Sequence, residues 1–320
     1  MFKSIFIILN FQIKIFLSMG IIVSHIHFLA MENNNNPIKG NVLTIGQQAV
    51  HCTLENSKKI INLYTSLKPL KAGFDTDTKI SEMKGSGYTN ANALFSLLGA
   101  DNVYVCDYSN YENADFVFDL NYPVDEGLKE KFDVIFDAGT LEHVFDIATA
   151  LNNYDYMLKK GGRIIIMSPT SNAIDHGFYG INPTLYFDYF KAYNYLAFSC
   201  YLRETNPYNI KGKGKTFKYI EVGDQMVMFS AKMVEVYFFA NKSIEDRDFI
   251  FKKPIQTLYK NTYAAIQPSI QISQTKSAIN KLVLLISNII PLSIKLFLLD
   301  LKHNRKLKNK KSNITYIGKI

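Results

Sequence analysis

Short apolar runs alternate with longer segments of helical periodicity in the central part of the chain. Residues 132–136 form a β-branched, apolar run that predicts a buried strand, and residues 163–167 form a second one. Between them, apolar residues recur at steps of three and four from Leu141 to Leu158, which predicts a helix that is stopped by Gly161 and Gly162. Strand, helix and strand in this order predict a parallel crossover unit, whose ligands bind at the carboxyl ends of the strands.

The same alternation predicts a larger α/β domain around this unit. Further strands are expected at residues 41–45, 103–106, 116–118, 195–202 and within 225–239, and further helices at 53–64, 90–98 and 185–195. Thr53 is the expected cap of the first of these helices, and Gly99 is the expected stop of the second. An antiparallel strand or hairpin is expected to close the domain.

Changes in composition divide the chain into three parts. The α/β domain is predicted to span residues 40–245, between an apolar segment with a linker at 1–39 and an extension at 246–320. The N-terminal segment is either a signal peptide or anchor, or a helix that packs on the domain, and we expect the second. The extension contains an apolar stretch, residues 277–301, followed by a basic tail.

The net charge of +8 is concentrated in that tail. Residues 301–320 contain seven basic and no acidic residues, so the rest of the chain carries a net charge of only +1. No RNA-binding motif accompanies the tail, and no nucleic-acid partner is expected. Apolar and basic residues together make residues 282–311 a candidate for peripheral membrane contact, although a helix packed on the domain or on a dimer partner is the alternative.

The cysteines point to a reducing compartment. Cys52, Cys106 and Cys200 are an odd number, lie far apart and lack the spacing of metal ligands. A cytoplasmic protein is therefore expected, and no metal site.

Aspartates follow three successive predicted strands. Asp107, Asp119 and Asp137 each come directly after an apolar run. One such aspartate is commonly a cap or turn residue. Three of them would line the carboxyl edge of the sheet, where a ribose or an amine can be bound.

Four segments together resemble class I S-adenosylmethionine-dependent methyltransferases, and particularly a bacterial subgroup found with glycan and surface-polysaccharide genes. The segments are DYSNYENAD (107–115), DLNYP (119–123), DAGTLEHV (137–144) and HGFYGINPTLYF (176–187). The resemblance covers about two-thirds of the chain, from Gly40 to about Lys242. It implies a Rossmann-like, doubly wound α/β fold with a seven-stranded sheet whose last strand is antiparallel, to which the N- and C-terminal segments add helical appendages.

The resemblance also implies an enzyme that binds S-adenosylmethionine. Asp107 matches the acidic position that hydrogen-bonds the cofactor ribose, and Asp119 matches the position beside the adenine. Asp137 and Gly139 match the motif near the methionine end of the cofactor.

The loop after the first strand departs from the family's glycine-rich pattern. Of that pattern only Gly46 remains, followed by Gln47 and Gln48. Glycines allow the backbone to approach a ligand closely. We expect Gly46 and Gln47 to contact the cofactor here, with side-chain amides in place of the missing glycines.

The expected reaction is methyl transfer to a hydroxyl of a sugar or another small molecule. Alignment supplies much of the rate because the sulfonium is already activated. A hydroxyl acceptor also needs a base, for which His143 and His176 are the candidates. Packing on the predicted helix is the alternative for His143, and an ordinary loop position is the alternative for His176.

Two other functions compete with this one. The first is a catalytically inactive, methyltransferase-like binding module, favoured by the glycine-poor loop and the apolar, basic C-terminus. The second is a nicotinamide-dependent dehydrogenase, which is disfavoured because the G-x-G-x-x-G motif is missing before the first helix.

Overall fold

The computed structural model describes the chain in eight stretches and contains one small and one large sheet. The described residues are 20–70, 75–78, 84–110, 113–206, 213–221, 228–245, 253–264 and 314–319. In the small sheet, β1 (Gly20–Ile21) pairs in parallel with β3 (Ala49–Thr53), and β3 pairs antiparallel with β4 (Tyr88–Asn90). This small sheet was not expected from the sequence.

The large sheet contains nine strands in the described residues. They are β2 (Asn41–Ile45), β5 (Asn102–Asp107), β6 (Phe116–Val117), β7 (Phe132–Ala138), β8 (Leu158–Ser171), β9 (Tyr195–Thr205), β10 (Lys215–Tyr219), β11 (Met233–Lys242) and β12 (Ile314–Lys319). From edge to edge, their order is β12-β10-β9-β11-β8-β7-β2-β5-β6.

The strand order reverses beside β2, as in a doubly wound sheet. From β2 the chain adds β5 and then β6 on one side, and it returns to add β7 and then β8 on the other, all in parallel. A sheet of this kind binds ligands in the crevice outside the carboxyl ends of its strands, where the order reverses. The structure thus confirms a Rossmann-like α/β fold and defines where its site should lie.

The large sheet has nine strands in the described residues, two more than the seven expected. The last strand of the predicted domain, β11, runs antiparallel to both of its neighbours, as expected. Beyond β9, however, β10 and β12 continue the sheet with two more antiparallel pairings. The end of the basic tail therefore forms an edge strand, because β10 offers it unpaired backbone groups.

The helices agree with the sequence pattern in most places. They are α1 (Val23–Asn35), α2 (Leu54–Ile61), α3 (Ala91–Leu98), α4 (Ile147–Met157), α5 (Pro183–Ala192) and α6 (Thr257–Ala264), with 3-10 turns at Glu126–Leu128 and Leu141–His143. Thr53 caps α2 by accepting a hydrogen bond from the Asn56 backbone N–H at 3.2 Å. Gly99 ends α3 in a left-handed conformation with φ +119°. Both expectations are confirmed.

The single helix expected from Leu141 to Leu158 is wrong. The segment begins with the 3-10 turn, breaks, and restarts as α4, whose cap Asp146 accepts the Thr149 N–H at 3.0 Å. The helix ends at Met157, and the glycines expected to stop it lie within β8. Periodicity did not reveal the break because residues on both sides of it, such as Leu141 and Leu151, are buried in the same core.

The two faces of the large sheet bury separate hydrophobic cores. On one face, α4 and α5 bring Tyr154 and Phe190 against the strands. On the other, α1 and α3 pack on the sheet, with the Phe28 ring 4.8 Å from that of Tyr237 and the Phe95 ring 5.0 Å from that of Phe136. The helix expected in the N-terminal segment is thus α1, and it belongs to the core.

The remaining sequence expectations for the termini lie outside the described residues. This applies to residues 1–19, to the apolar stretch 277–301 and to residues 282–311, the candidate for membrane contact. Within the described stretches, none of the helices has the length and apolar character needed to cross a membrane.

A buried ion pair joins α1 to the sheet. Arg163 of β8 donates to Glu32 of α1 at 3.2 Å and also to the Asn36 carbonyl, and both charged side chains are more than nine-tenths buried. Glu32 accepts a second hydrogen bond from the Tyr201 hydroxyl at 2.6 Å. Burial lowers the pKa of Arg163 to about 10, and the carboxylate of Glu32 opposes this shift.

We therefore expect Glu32→Gln to lower the free energy of unfolding by about 3 kcal/mol, because it leaves the Arg163 charge buried and unpaired. Urea denaturation measures the effect. The matched control is Glu55→Gln, which breaks the exposed pair with Lys59 on α2 and should leave the stability unchanged. Equal effects of the two substitutions would show that the buried pair does not hold α1 in place.

Candidate active site

A cleft of about 390 Å³ opens at the carboxyl ends of β2, β5, β6 and β7, where the strand order reverses. Its polar wall residues are Asp107, Asp119, Asn121, Thr140 and His143, and its apolar wall residues include Tyr108, Phe118, Leu120 and Val144. The volume and the mixture of apolar walls with a few polar groups are typical of small-molecule sites. Four residues predicted from the sequence, Gly46, Asp107, Asp119 and His143, meet here.

Gly46 forms the turn at the end of β2. Its φ is +77°, in the left-handed region, and its N–H donates to the Cys106 carbonyl at 2.7 Å. A Cβ at this position would lie 3.1 Å from Oγ1 of Thr140, which itself donates to the Ile45 carbonyl at 3.0 Å. Both the conformation and the close approach of Thr140 favour glycine.

The two glutamines that follow Gly46 support the loop after β2. The Gln47 backbone N–H donates to Asp107 at 3.2 Å, and Gln47 borders a second cavity of about 440 Å³ instead of the cleft. Gln48 is buried, and its amide donates to the Ile45 carbonyl at 2.6 Å. Gln48 therefore supports the loop from behind instead of facing the cleft.

Asp107 and Asp119 lie on the walls of the cleft. Asp107 accepts backbone N–H groups from Gln47 at 3.2 Å and Ser109 at 3.3 Å. Asp119 accepts the backbone and side-chain N–H groups of Asn121 at 2.9 and 2.7 Å. Each carboxylate has about four acceptor positions, so both retain capacity for a ligand.

Asp137 has a different environment from the other two aspartates. It is completely buried and accepts three hydrogen bonds, from Thr140 N at 2.8 Å, Leu141 N at 3.1 Å and the Tyr154 hydroxyl at 2.9 Å. Burial, and then the nearby charge of Glu142, raises its pKa to about 7.

Asp137 and Gly139 are not among the residues that line the cleft. Gly139 has φ +96°, and the loop that it forms leads directly into Thr140. The two residues therefore shape the cleft through Thr140, which is part of its wall.

The two candidate bases lie next to each other. The ring centroids of His143 and His176 are 5.0 Å apart, and His143 lines the cleft. Glu142 is completely buried, and its Oε1 lies 3.4 Å from Nε2 of His176. Burial lowers the pKa of His143, whereas the adjacent carboxylate of Glu142 raises the pKa of His176.

Sequence reasoning missed Thr140, Glu142 and Tyr154. Glu142 stands beside His143 in the LEHV segment, but its burial depends on the loop after β8, which no local pattern indicates. In the sequence, Tyr154 fits only as one of the apolar positions of the helix predicted from Leu141 to Leu158. Its hydroxyl contacts Asp137 across 17 residues of sequence.

Comparisons with known proteins do not assign this chain to a family. No protein-family model matches this chain, and no curated protein matches it. Similar solved structures include a putative methyltransferase from Bacillus halodurans, with 9% identity over 68% of this chain and 98% of that one at a TM-score of 0.37. A possible histamine N-methyltransferase from Thermotoga maritima has 13% identity over 68% and 92% of the two chains at a TM-score of 0.35.

A third similar structure is the 1,6-didemethyltoxoflavin-N1-methyltransferase of Burkholderia thailandensis, bound to 1,6-didemethyltoxoflavin and S-adenosylhomocysteine. It has 11% identity over 68% of this chain and 76% of that one, at a TM-score of 0.32. At TM-scores this low, the similarities carry no argument about what this chain does. Its function has to be inferred from its own site.

The Asp137 hydrogen bonds predict a stability effect that depends on pH. Because burial raises the pKa of Asp137 from 3.8 to about 7, ionisation of Asp137 opposes folding, and stability falls as the pH rises from about 3.8 to about 7. The Tyr154 hydroxyl reduces this loss by donating to the charged form. We expect Tyr154→Phe to cost about 1.5–3 kcal/mol at pH 8 and less at pH 6.

Tyr186→Phe is the matched control for this substitution. Tyr186 is equally buried in the same core, but its hydroxyl is bonded to the Ser168 hydroxyl at 2.8 Å. Loss of the Tyr186 hydroxyl should lower the free energy of unfolding by about 1 kcal/mol at either pH. Urea denaturation of both variants at the two pH values is the measurement, and a cost of Tyr154→Phe that does not change with pH would contradict the assignment.

Proposed function

We propose that this protein is an S-adenosylmethionine-dependent methyltransferase that acts on a hydroxyl of a sugar or another small molecule in glycan biosynthesis. The observation that carries the proposal is the meeting of Gly46, Asp107 and Asp119 at one cleft, at the reversal of strand order. These residues come from three separate strand ends, and each matches a position of the same family's cofactor site.

The residue types that line the cleft suit the chemical groups of the cofactor. Asp107 would accept the ribose hydroxyls, and Asp119 would lie beside the adenine, whose faces suit the apolar walls formed by Phe118 and Leu120. Gly46 adds no side chain to the wall of the cleft at the end of β2. When bound, the cofactor supplies a methyl group on an activated sulfonium.

Aromatic side chains beside the histidines support a sugar as acceptor. Phe145 and Phe178 are 70% and 64% exposed, and their rings meet edge to face at 5.7 Å. Tyr179 joins them by donating from its hydroxyl to the Phe145 carbonyl at 2.8 Å. Exposed aromatic rings with a polar group nearby offer an apolar face and a hydrogen-bonding tip to a sugar ring.

The protein's own contribution to the reaction is to position the acceptor and to remove the proton of its hydroxyl. His143 lies on the cleft wall and the ring of His176 lies beside it, so we expect an acceptor bound in the cleft to present its hydroxyl to this pair. Proton removal near the transition state is the step that a hydroxyl acceptor requires of the protein.

The competing function is an inactive binding module with the same fold. The observation in its favour is the β2 loop, in which the buried Gln48 stands in a segment where the family places glycines. Cofactor binding and turnover distinguish the two functions directly.

We expect the full-length chain to bind S-adenosylmethionine and its demethylated product in calorimetric titrations, and Asp107→Ala to weaken both by about 10- to 100-fold. That loss corresponds to hydrogen bonds to a charged group worth about 1.5–3 kcal/mol. The matched control is Asp101→Ala, which should bind both compounds as wild type does. Asp101 lies at the opposite end of β5, where it accepts the Gly40 N–H at 3.1 Å. Circular dichroism verifies that each variant is folded.

Two results would contradict parts of this proposal. If folded wild-type protein binds neither compound, the inactive module becomes the better description. If Asp107→Ala binds as tightly as wild type, the cleft binds the cofactor in another way.

A further inference from the structure

We propose that Glu142, His143 and His176 form a binding site for one divalent transition-metal ion of the zinc class at the edge of the cleft. One ligand atom from each residue lies within 4.8 Å of those of the other two. The residues come from two loops, one after β7 and one after β8. The cysteine spacing that argued against a metal site does not bear on this cluster, which contains no cysteine.

Backbone contacts hold the two loops together. The Glu142 carbonyl accepts the Phe178 N–H at 2.9 Å and the Tyr179 N–H at 3.2 Å. A Cβ on Gly177 would lie 2.8 Å from the same carbonyl oxygen, so only glycine permits this crossing. The crossing keeps His176 next to Glu142 without any contribution from the side chains themselves.

Three buried atoms of the cluster lack hydrogen bonds. Among the described residues, no hydrogen bond reaches either carboxylate oxygen of Glu142 or Nε2 of His143. A buried carboxylate that has no hydrogen bond and only an ion-pair contact with His176 at 3.4 Å is costly and calls for a compensating cation. A proton on His176 would serve one Glu142 oxygen and would leave His143 unpartnered, whereas a metal ion can engage all three residues.

The spacing and the ligand types suit zinc. With bonds of about 2.0–2.2 Å, two ligands of a tetrahedral ion lie about 3.4 Å apart. Nε2 of His176 and Oε1 of Glu142 are separated by 3.4 Å. The ligand atom of His143 lies within 4.8 Å of the other two and would have to move closer to complete the set. Two histidines and one glutamate leave the fourth position open, as in catalytic zinc sites.

A metal ion here would change how the acceptor loses its proton. An acceptor hydroxyl bound at the open position would be more acidic and would release its proton to solvent water, so His143 and His176 would act as ligands and not as bases. This role rests on the proposed function, since it requires an acceptor hydroxyl in the cleft. Metal binding itself does not, and it can be measured without cofactor or acceptor.

The test is a zinc titration of full-length protein that carries no polyhistidine tag and has been stripped by dialysis against a chelator. We expect one zinc ion per chain by mass spectrometry of the metal content, and the visible absorption of tetrahedral Co²⁺ when cobalt replaces zinc. Glu142→Gln and His176→Asn should each weaken zinc binding by at least about 100-fold, since even outer-shell partners can cost that much.

His27→Gln is the matched control, because His27 lies outside the cluster with its Nδ1 2.9 Å from the Tyr64 hydroxyl. It should bind zinc as wild type does. The thermal unfolding of each variant, measured with and without zinc, distinguishes loss of the metal site from a folding defect. Zinc should raise the unfolding midpoint of wild type and His27→Gln but not that of folded Glu142→Gln or folded His176→Asn.

Absence of zinc binding by folded wild type would overturn the proposal, and so would equal affinity in Glu142→Gln and the control. Titration of the same samples with S-adenosylmethionine separates this result from the proposed function. Zinc binding without cofactor binding supports the metal site and contradicts methyl transfer, whereas cofactor binding without zinc binding overturns the metal site alone.

Discussion

The site depends on one buried carboxylate, that of Asp137 at the end of β7. Its three hydrogen bonds fix the backbone of Thr140 and Leu141 and connect this loop to Tyr154 of α4. Thr140 then braces the end of β2 beside Gly46, and the following turn carries Glu142. Because an unsatisfied carboxylate in this core would be costly, the loop has little freedom to adopt another conformation.

The same constraint explains why the helix after β7 is broken. Asp137 draws the first turn toward the sheet, and Asp146 begins the real helix a few residues later. The residues between Asp137 and Asp146 are not part of a continuous helix, and several of them line the cleft. There Glu142 and His143 lie against the loop after β8. This loop can cross the 3-10 turn because Gly177 has no side chain to collide with the Glu142 carbonyl. The irregular backbone thus brings together the chemical groups that a continuous helix would have kept apart.

The rest of the molecule keeps this edge of the sheet rigid. Helix α1 covers one face and is held to the sheet by the buried pair of Glu32 and Arg163, while α4 and α5 cover the other. Both faces are therefore packed behind the strand ends that carry Asp107 and Asp119. A site on rigid strands keeps its polar groups in place before any ligand binds.

The sequence by itself determined the parallel strands around β2, most helices with the caps Thr53 and Gly99, and the presence of Gly46, Asp107 and Asp119 at strand ends. These features follow from local periodicity and from residue types with strong conformational preferences. Only the tertiary structure decided that Asp137 turns inward while its two counterparts face the cleft, that β10 and β12 extend the sheet, and that Glu142 meets His176. Those outcomes depend on contacts between residues far apart in the chain, such as Asp137 with Tyr154, which no local pattern records.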